Sequence, residues 1–389
     1  MKFRRIPDLP PYVFTIINGL KIKQRQAGID VVDLGFGNPD LPSPDVAVEE
    51  LSEAARDPNN HRYSLSKGIP ALREAAASFY KHRFNVELDP ETEIINTIGS
   101  KEGLTHLMWV LLAPGDTCLV PTPSYPIHVH NPCFPGARIC GVPLAEGDEY
   151  IENLHKAWHD TEPKPRVVII SFPHNPTTIC VDLDFMQKVV DFAQAHDIII
   201  VHDNAYADIA FDGYSPPSIL QIEGAKEHAV EFYTLTKSFS MAGWRVAFML
   251  GNTEVVGALT KMKSYLDYGS FQPIQMAAAK TMASQPDYPS EASAIYEGRR
   301  NALCDGLNSI GWQVTPPQAT MFVWAEIPEP YAHLGSVEFA TQLVTEGCVA
   351  TSPGVGFGES GEGHVRFALI EDEERIHQGV DNLRQMLDL

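Results

Sequence analysis

Three apolar runs end on polar side chains that could share one cleft. RVVIIS (166–171) leads into FPHNPT and Asn175; IIIVHD (198–203) ends on Asp203, with Tyr206 three residues later; EFYTLT (231–236) stops directly before Lys237. Singly, each has an ordinary explanation. An aspartate after a strand commonly caps a helix, an asparagine before proline makes a turn, and a lysine is usually solvated. Together they offer an amine, a carboxylate, an amide and a phenol. A lysine that is desolvated or set beside another cation can form a Schiff base. A carboxylate against a heterocyclic nitrogen keeps that nitrogen protonated and turns the ring into an electron sink.

An anion site would complete such a set. SKEG opens a helix-like segment at Ser100, read here as its N-cap, and offers a hydroxyl beside unpaired backbone N–H groups. Thr234 lies three residues before Lys237 and Arg245 eight after, adding a second hydroxyl and a charge-assisted fork.

The elements that must position these groups alternate. Helical spacing covers VAVEELSEAAR (46–56), IPALREAAASFYKHRF (69–84, with Pro70 near its start) and SKEGLTHLMWVLLA (100–113), then FMQKVVDFAQAHD (185–197) and VVGALTKMKSYL (255–266). Strand-like runs are TCLVP (117–121), the three named above and RVAFMLG (245–251). Apolar strands alternating with helices predict an α/β fold around a mostly parallel sheet covered on both faces. Such sheets bind ligands at the carboxyl ends of their strands, where the polar groups fall. QPDYPS (285–290) breaks the rhythm. A long helix (291–310), TMFVWAEI, SVEFATQLVTEGCV, HVRFALI and a final helix then suggest a smaller α+β domain that packs with the N-terminal segment. The expected divisions are 1–44, 45–285 and 286–389. The glycine-rich SPGVGFGESGEG (352–363) precedes a strand, so it is not a dinucleotide fingerprint.

The chain has 389 residues, more than one hydrophobic core usually takes. Its formal charge of −21 argues against nucleic acid or anionic lipid as partner. Six cysteines without CxxC spacing read as free thiols in a reducing compartment, with no metal site. The terminus MKFRRIPDLPPYVF lacks the apolar core of a signal peptide, and LMWVLLA (107–113) is too short to span a bilayer. The expectation is a cytoplasmic protein.

TLTKSFSMAGWR, FPHNPT, VHDNAY and HVRFALIE, in this order and spacing, resemble the pyridoxal-phosphate (PLP) aminotransferases of fold type I, the aspartate aminotransferase superfamily, over essentially the whole length. DLPPYVF, IGSKEGL, VPTPSYPIH, MAGWRVAFM and IPEPYA add a closer likeness to bacterial glutamate–pyruvate (alanine) aminotransferases. The resemblance implies a seven-stranded large-domain sheet, PLP as cofactor, and exchange of amino groups between amino acids and 2-oxo acids, with L-alanine and 2-oxoglutarate foremost. By the same resemblance, Lys237 would hold the cofactor as a Schiff base and then carry the substrate Cα proton. Asp203 would pair with the pyridine nitrogen, Asn175 and Tyr206 with the phenolic oxygen, and Tyr125 would stack on the ring. Ser100, the Lys101 backbone, Thr234 and Arg245 would hold the phosphate. Tyr63 would reach the phosphate of a neighbouring subunit, which implies a homodimer with shared active sites. Arg366, helped by Asn175 and the Gly37 backbone, would clamp the substrate α-carboxylate.

In aspartate aminotransferases an arginine lent by the partner binds the distal carboxylate, and the matching KSYLDYGSFQP (263–273) contains none. A hydrophobic or neutral side-chain pocket is then equally allowed. The alternative substrates within the same family are aspartate, methionine, aromatic amino acids or LL-diaminopimelate, and β-elimination is a further chemistry of related enzymes. A regulator's effector domain on this fold would call for a basic DNA-binding segment, which the charge of −21 opposes. His174 stands where such relatives tend to have serine, and Asn204 replaces a hydrophobic residue. A buried amide beside Asp203 is expected to find local hydrogen bonds. The pairs His155/His159 and His128/His130 read as ordinary packing.

Overall fold

The computed structural model describes residues 14–387; most of DLPPYVF, with the first thirteen residues of the expected 1–44 unit, lies outside them. Among the described residues twelve strands form: β1 Val32–Asp33, β2 Ile94–Thr97, β3 Thr117–Thr122, β4 Arg138–Pro143, β5 Val167–Ile170, β6 Ile199–Asp203, β7 Ala229–Thr234, β8 Ala247–Gly251, β9 Phe322–Glu326, β10 Val349–Ala350, β11 Ser352–Pro353 and β12 His364–Ala368.

The large domain is built on seven of them in the order β2-β8-β7-β6-β5-β3-β4. The pairs from β7 through β4 are parallel, whereas β8 runs antiparallel to both of its neighbours, β2 and β7. Every residue of β5, β7 and β8 is buried, as continuous apolar strands covered on both faces must be. Two apolar clusters cover the sheet. One packs Phe79, Tyr80, Phe172, Phe185 and Tyr233 with their neighbours, and the other Leu104, Leu107, Val120 and Phe232.

Beneath the sheet, the fully buried Glu231 on β7 accepts from Tyr80 Oη at 2.7 Å, Ser218 Oγ at 2.8 Å and the Ile219 amide at 3.0 Å, and pairs with His202 Nδ1 at 2.8 Å. Burial pushes its pKa up, but these partners, His202 first, outweigh that and hold it below the usual carboxylate range. His202 Nε2 reaches the Phe172 carbonyl at 3.1 Å, which ties β6 to the loop that carries Asn175.

The smaller α+β domain has an antiparallel sheet, β11-β12-β9, and a parallel pair, β1-β10. Through β1 the N-terminal segment joins this domain. Ile17, Val31, Val32 and Leu34 share a core with Tyr296, Trp312, Phe339, Phe367 and Leu383. The expected boundary at 285/286 falls between the helices Gln272–Ser284 and Tyr288–Ser309. No helix of the described residues is long and apolar enough to cross a membrane.

Several expectations need correction. The run EFYTLT is not a strand to its end: β7 stops at Thr234, and Thr236 and Lys237 lie in the helical turn Leu235–Ser238. Ser100 is the first helical residue and not the N-cap; Gly99 takes that position at φ +79°. Strands β2 and β4 and the helix Gln272–Ser284 carry no clear periodicity. That helix buries Gln275 and four of its apolar residues around QMAAAKTM, so alanine and glutamine positions replace an amphipathic stripe.

Candidate active site

The carboxyl ends of β5, β6 and β7 open into a cavity of about 270 Å³. Asn175, Asp203, Tyr206, Thr234 and Lys237 all border it, with Ser100, Lys101, Tyr125, Arg245, Gly37 and Arg366. Of the residues expected at the site, Tyr63 alone does not border this cavity. It is 85 % exposed and packs at a tilt of 32° against Tyr268, with centroids 4.5 Å apart.

Asp203 ends β6 and is nearly buried. Its Oδ2 meets His128 Nε2 at 2.8 Å, and His128 Nδ1 meets Ser124 Oγ at 3.0 Å. Facing a carboxylate, Nε2 is the donor, which leaves Nδ1 as an acceptor for the serine hydroxyl. His128 is therefore no packing residue, contrary to the sequence reading. The helix Pro126–His130 turns it inward below Tyr125, and the HVH alternation carries no signal of that. Asp203 Oδ1 is buried without a hydrogen-bond partner and borders the cavity. A buried carboxylate oxygen without a donor is costly unless a ligand supplies one.

Lys237 Nζ donates to the Gly37 carbonyl at 2.7 Å. Burial, then the nearby Arg366 and Arg245 guanidinium groups, push its pKa down to about 7. That makes a neutral, nucleophilic amine available near neutral pH. Tyr206 is pushed the other way, chiefly by burial, and stays protonated.

The anion cradle lies where the helix Ser100–Leu111 begins. Ser100 Oγ is buried and unpartnered. Gly99 suits that position by its positive φ, and Arg245 lies so close that a Cβ would stand 2.1 Å from its Nη2 and displace the guanidinium. Arg245 thus lies across the helix start, with Nη1 on the Ala242 carbonyl at 3.0 Å. Thr234 reaches the wall, but its hydroxyl donates to the Val246 carbonyl at 3.3 Å and accepts from the Thr236 amide at 3.1 Å.

At the opposite end, Arg366 projects from β12 and is 4 % exposed. Its Nη1 donates to Asn175 Oδ1 at 2.6 Å, and Asn175 Nδ2 approaches Tyr206 Oη at 3.5 Å. The guanidinium carbon sits 3.9 Å from the centroid of Phe322 and 4.6 Å from that of Phe357. Neither ring stands out in the sequence, because each looks like core material. Phe357 belongs to the glycine-rich tract, whose close turns bring it over the arginine: a Cβ on Gly354 would overlap the Gly361 carbonyl at 1.9 Å.

His174 is fully buried and held neutral, its pKa pushed down to about 3 by burial first and His128 second. Its Nδ1 faces Thr177 Oγ1 at 2.8 Å. Asn204 departs from expectation: neither side-chain polar atom has a hydrogen-bond partner, although the residue is fully buried. Among the described residues Glu102, His106 and Asp267 could bracket a cation. The Lys263 ammonium already stands there, 2.7 Å from Glu102 Oε1 and 2.8 Å from Asp267 Oδ2.

These features fit a phosphorylated pyridine aldehyde. Asp203 Oδ1 lacks a donor that a protonated ring nitrogen would supply, Ser100 Oγ lacks a partner beside Arg245, and a low-pKa amine faces the space between. The comparisons agree. Residues 29–383 match the family described as aminotransferase class I and II. The chain is 50 % identical over 385 residues to the glutamate-pyruvate aminotransferase AlaC of Escherichia coli K12, covering 99 % of this chain and 93 % of that one. It is 41 % identical over 380 residues to an LL-diaminopimelate aminotransferase of Dehalococcoides mccartyi BAV1, covering 98 % and 97 %. Substrate-bound BacF of Bacillus subtilis superposes with a TM-score of 0.91 at 33 % identity, over 99 % of this chain and 98 % of that one.

Proposed function

The chain belongs to the class I and II aminotransferases, enzymes of PLP fold type I, and from that premise we propose that it binds PLP and transfers the amino group of L-alanine to 2-oxoglutarate, giving pyruvate and L-glutamate. The observation that carries the transamination reading is one cavity bordered by Lys237, Asp203 and Arg366.

When bound, the cofactor supplies the carbonyl that accepts the amine and the ring that takes up the electron pair of Cα. Arg366 would receive the α-carboxylate, its guanidinium carbon held against the Phe322 and Phe357 rings and Nη1 tied to Asn175. Asp203, buttressed by His128 and Ser124, would hold a proton on the ring nitrogen. Lys237, whose pKa in the cofactor-free chain is lowered to about 7, would hold the cofactor and would be the base that moves the substrate Cα proton. Ser100, the start of its helix and Arg245 would hold the phosphate, with Thr234 supporting that wall.

Alanine's methyl group asks nothing of the pocket, whereas 2-oxoglutarate brings a second carboxylate. Lys101 supports its acceptance: it borders the cavity, is exposed, and pairs with no carboxylate among the described residues. A homodimer completes the reading. Tyr63, Leu65, Tyr265 and Tyr268 are all more than half exposed, an aromatic surface that a second copy would cover. Tyr63 would then reach the phosphate in that copy.

A second donor, LL-diaminopimelate, has support in the relatives so named and in a groove of about 530 Å³ that shares Phe36 and Asn38 with the cavity. Lys21 and Asp33 line that groove but pair with each other, Lys21 Nζ donating to Asp33 Oδ2 at 2.5 Å, so the relatives carry this second reading. The test is to add L-alanine, L-glutamate, L-aspartate, L-methionine and LL-diaminopimelate singly to PLP-loaded enzyme and follow loss of cofactor absorbance. Alanine and glutamate should convert it fastest. A faster response to another donor overturns the substrate, and ammonia release without an acceptor would mark a lyase.

A further inference from the structure

The substrate end of the cavity is made by two segments remote in sequence: Phe36–Pro39, which passes over Lys237, and β12, which carries Arg366. The first is fixed on its N-terminal side. The Leu34 amide donates to the Ala350 carbonyl at 3.0 Å, the Ala368 amide to the Leu34 carbonyl at 2.7 Å, and Ser352 Oγ to the Gly35 carbonyl at 2.6 Å. Past Gly35 no strand continues it, and Phe36 and Asn38 are exposed.

Its second anchor is Asp40. Arg299, 5 % exposed on the helix Tyr288–Ser309, grips that carboxylate with both ends of its fork, Nη1 to Oδ1 and Nη2 to Oδ2, each at 2.7 Å. The same Nη1 donates to the Leu369 carbonyl at 3.0 Å. One guanidinium therefore holds the chain three residues beyond Gly37 and the chain three residues beyond Arg366.

The spacing between those segments bears on Arg366 directly. Gly37 lies so close to Phe322 that a Cβ would come within 2.6 Å of the ring, and that ring supports the Arg366 guanidinium at 3.9 Å. Displacing the Gly37 segment removes the backing of the ring and takes the Gly37 carbonyl away from Lys237.

We propose that Arg299 is a positioning residue for the substrate α-carboxylate, setting the distance between the Gly37 segment and Arg366 by holding Asp40 and the Leu369 carbonyl together. The inference rests on Arg366 being the carboxylate clamp. Arg299 borders none of the cavity, so it acts only through these neighbours. A lysine cannot replace it, because a point charge lacks the planar fork that makes two parallel bonds and a third to a carbonyl.

The next residue is an internal control. Arg300 is equally buried, forks Asp212 and reaches the Pro317 carbonyl at 2.9 Å, yet neither Asp212 nor Pro317 borders the cavity. Arg299→Lys and Arg300→Lys are compared as PLP-loaded full-length enzymes. The probe is 2-methylalanine, which offers an α-carboxylate and amine but no Cα proton, with binding followed by cofactor absorbance. Arg299→Lys should weaken its binding and raise KM for L-alanine about tenfold, with kcat within about threefold and PLP affinity unchanged. Arg300→Lys should lower the melting temperature but leave both constants within about twofold. Asp40→Asn should reproduce Arg299→Lys, with the double variant no worse than either single one. Unchanged probe binding in Arg299→Lys, or an equal loss in Arg300→Lys, overturns the proposal; should Arg299→Lys fail to fold, Asp40→Asn carries the same test. Arg366→Lys is run beside them. If that variant binds the probe normally, the clamp reading itself falls, an outcome distinct from normal binding in Arg299→Lys alone.

Discussion

The two ends of the cavity are built differently. At the cofactor end, side chains come from consecutive strand ends of one sheet, and key atoms are left without protein partners: Asp203 Oδ1 and Ser100 Oγ are buried and unpaired. At the substrate end, Arg366 is already held by Asn175 and two aromatic rings, from segments almost two hundred residues apart. The cofactor end is incomplete without its ligand. The end proposed for the substrate has its cation already held by protein groups, as a site for a carboxylate that would enter and leave on every turnover. Unsatisfied polar groups suit a tight, long-lived ligand, since binding relieves their cost. A pre-oriented fork suits a transient one, since little order is lost when it binds.

The largest effect should come where the two ends meet. On the proposed mechanism Lys237→Ala would remove both the amine that holds the cofactor and the base that moves the Cα proton, and should lower single-turnover amino transfer from L-alanine by about 10⁴-fold or more. PLP should still be retained, because Asp203, Ser100 and Arg245 remain. Turnover near wild type would remove Lys237 from the mechanism.

Next come one substitution at each end. Arg366→Lys should lower kcat/KM for all amino donors by about 10²–10³-fold, since a fork and two ring contacts are lost together. Asp203→Asn should cost a similar factor, but in kcat and PLP retention, while His128→Phe, one bond further away, should cost about tenfold. If Arg366→Lys weakened PLP retention as much as Asp203→Asn does, the two ends would not be separable.

A titration separates them in the cofactor-free protein. Lys237 has a folded pKa near 7, below its ordinary 10.5, because burial first and the two arginines second disfavour its charge. Between those values the unfolded chain binds more protons, so stability rises with pH through the window. Below pH 7 the charged amine imposes its full cost, on the order of a few kcal/mol, since a tenfold change in proton affinity is worth about 1.4 kcal/mol. Lys237→Met should therefore stabilise the apo fold most at pH 6–7, with the gain fading towards pH 10. Urea unfolding at several pH values measures it, and a gain independent of pH would mean that the amine is not desolvated.

The same contrast explains what is legible in the sequence. Asn175, Asp203, Tyr206 and Lys237 follow strands that announce themselves as apolar runs, and an open parallel sheet gathers its strand ends by topology alone. The substrate end has no such rule. Phe322 and Phe357 matter because a glycine tract and an exposed segment fold over β12, and nothing in their own neighbourhood signals it. Nothing local marks Arg299 either, since it sits inside a long helix and its partner Asp40 lies 259 residues away. His128 is misread because its alternation with apolar residues is also what a packed histidine shows. Ser100 is misplaced by one position because Gly99, at positive φ, takes the cap that a hydroxyl residue usually fills.

The smallest effect tests whether the cofactor end is finished by a second copy. Tyr63 leans on Tyr268 at the surface and touches nothing of its own cavity, so a local role would be limited to that ring contact. Phenylalanine keeps the ring and removes only the hydroxyl. If the hydroxyl donates to a phosphate across a dimer, Tyr63→Phe should weaken PLP retention by about tenfold, as the loss of one charge-assisted hydrogen bond would. Binding of pyridoxal, which lacks the phosphate, should not change, and the variant should sediment as wild type does. Equal losses for both ligands would place Tyr63 in packing. Unchanged PLP retention would leave the phosphate to Ser100, Arg245 and the helix start, and the cofactor end would then be complete within one chain.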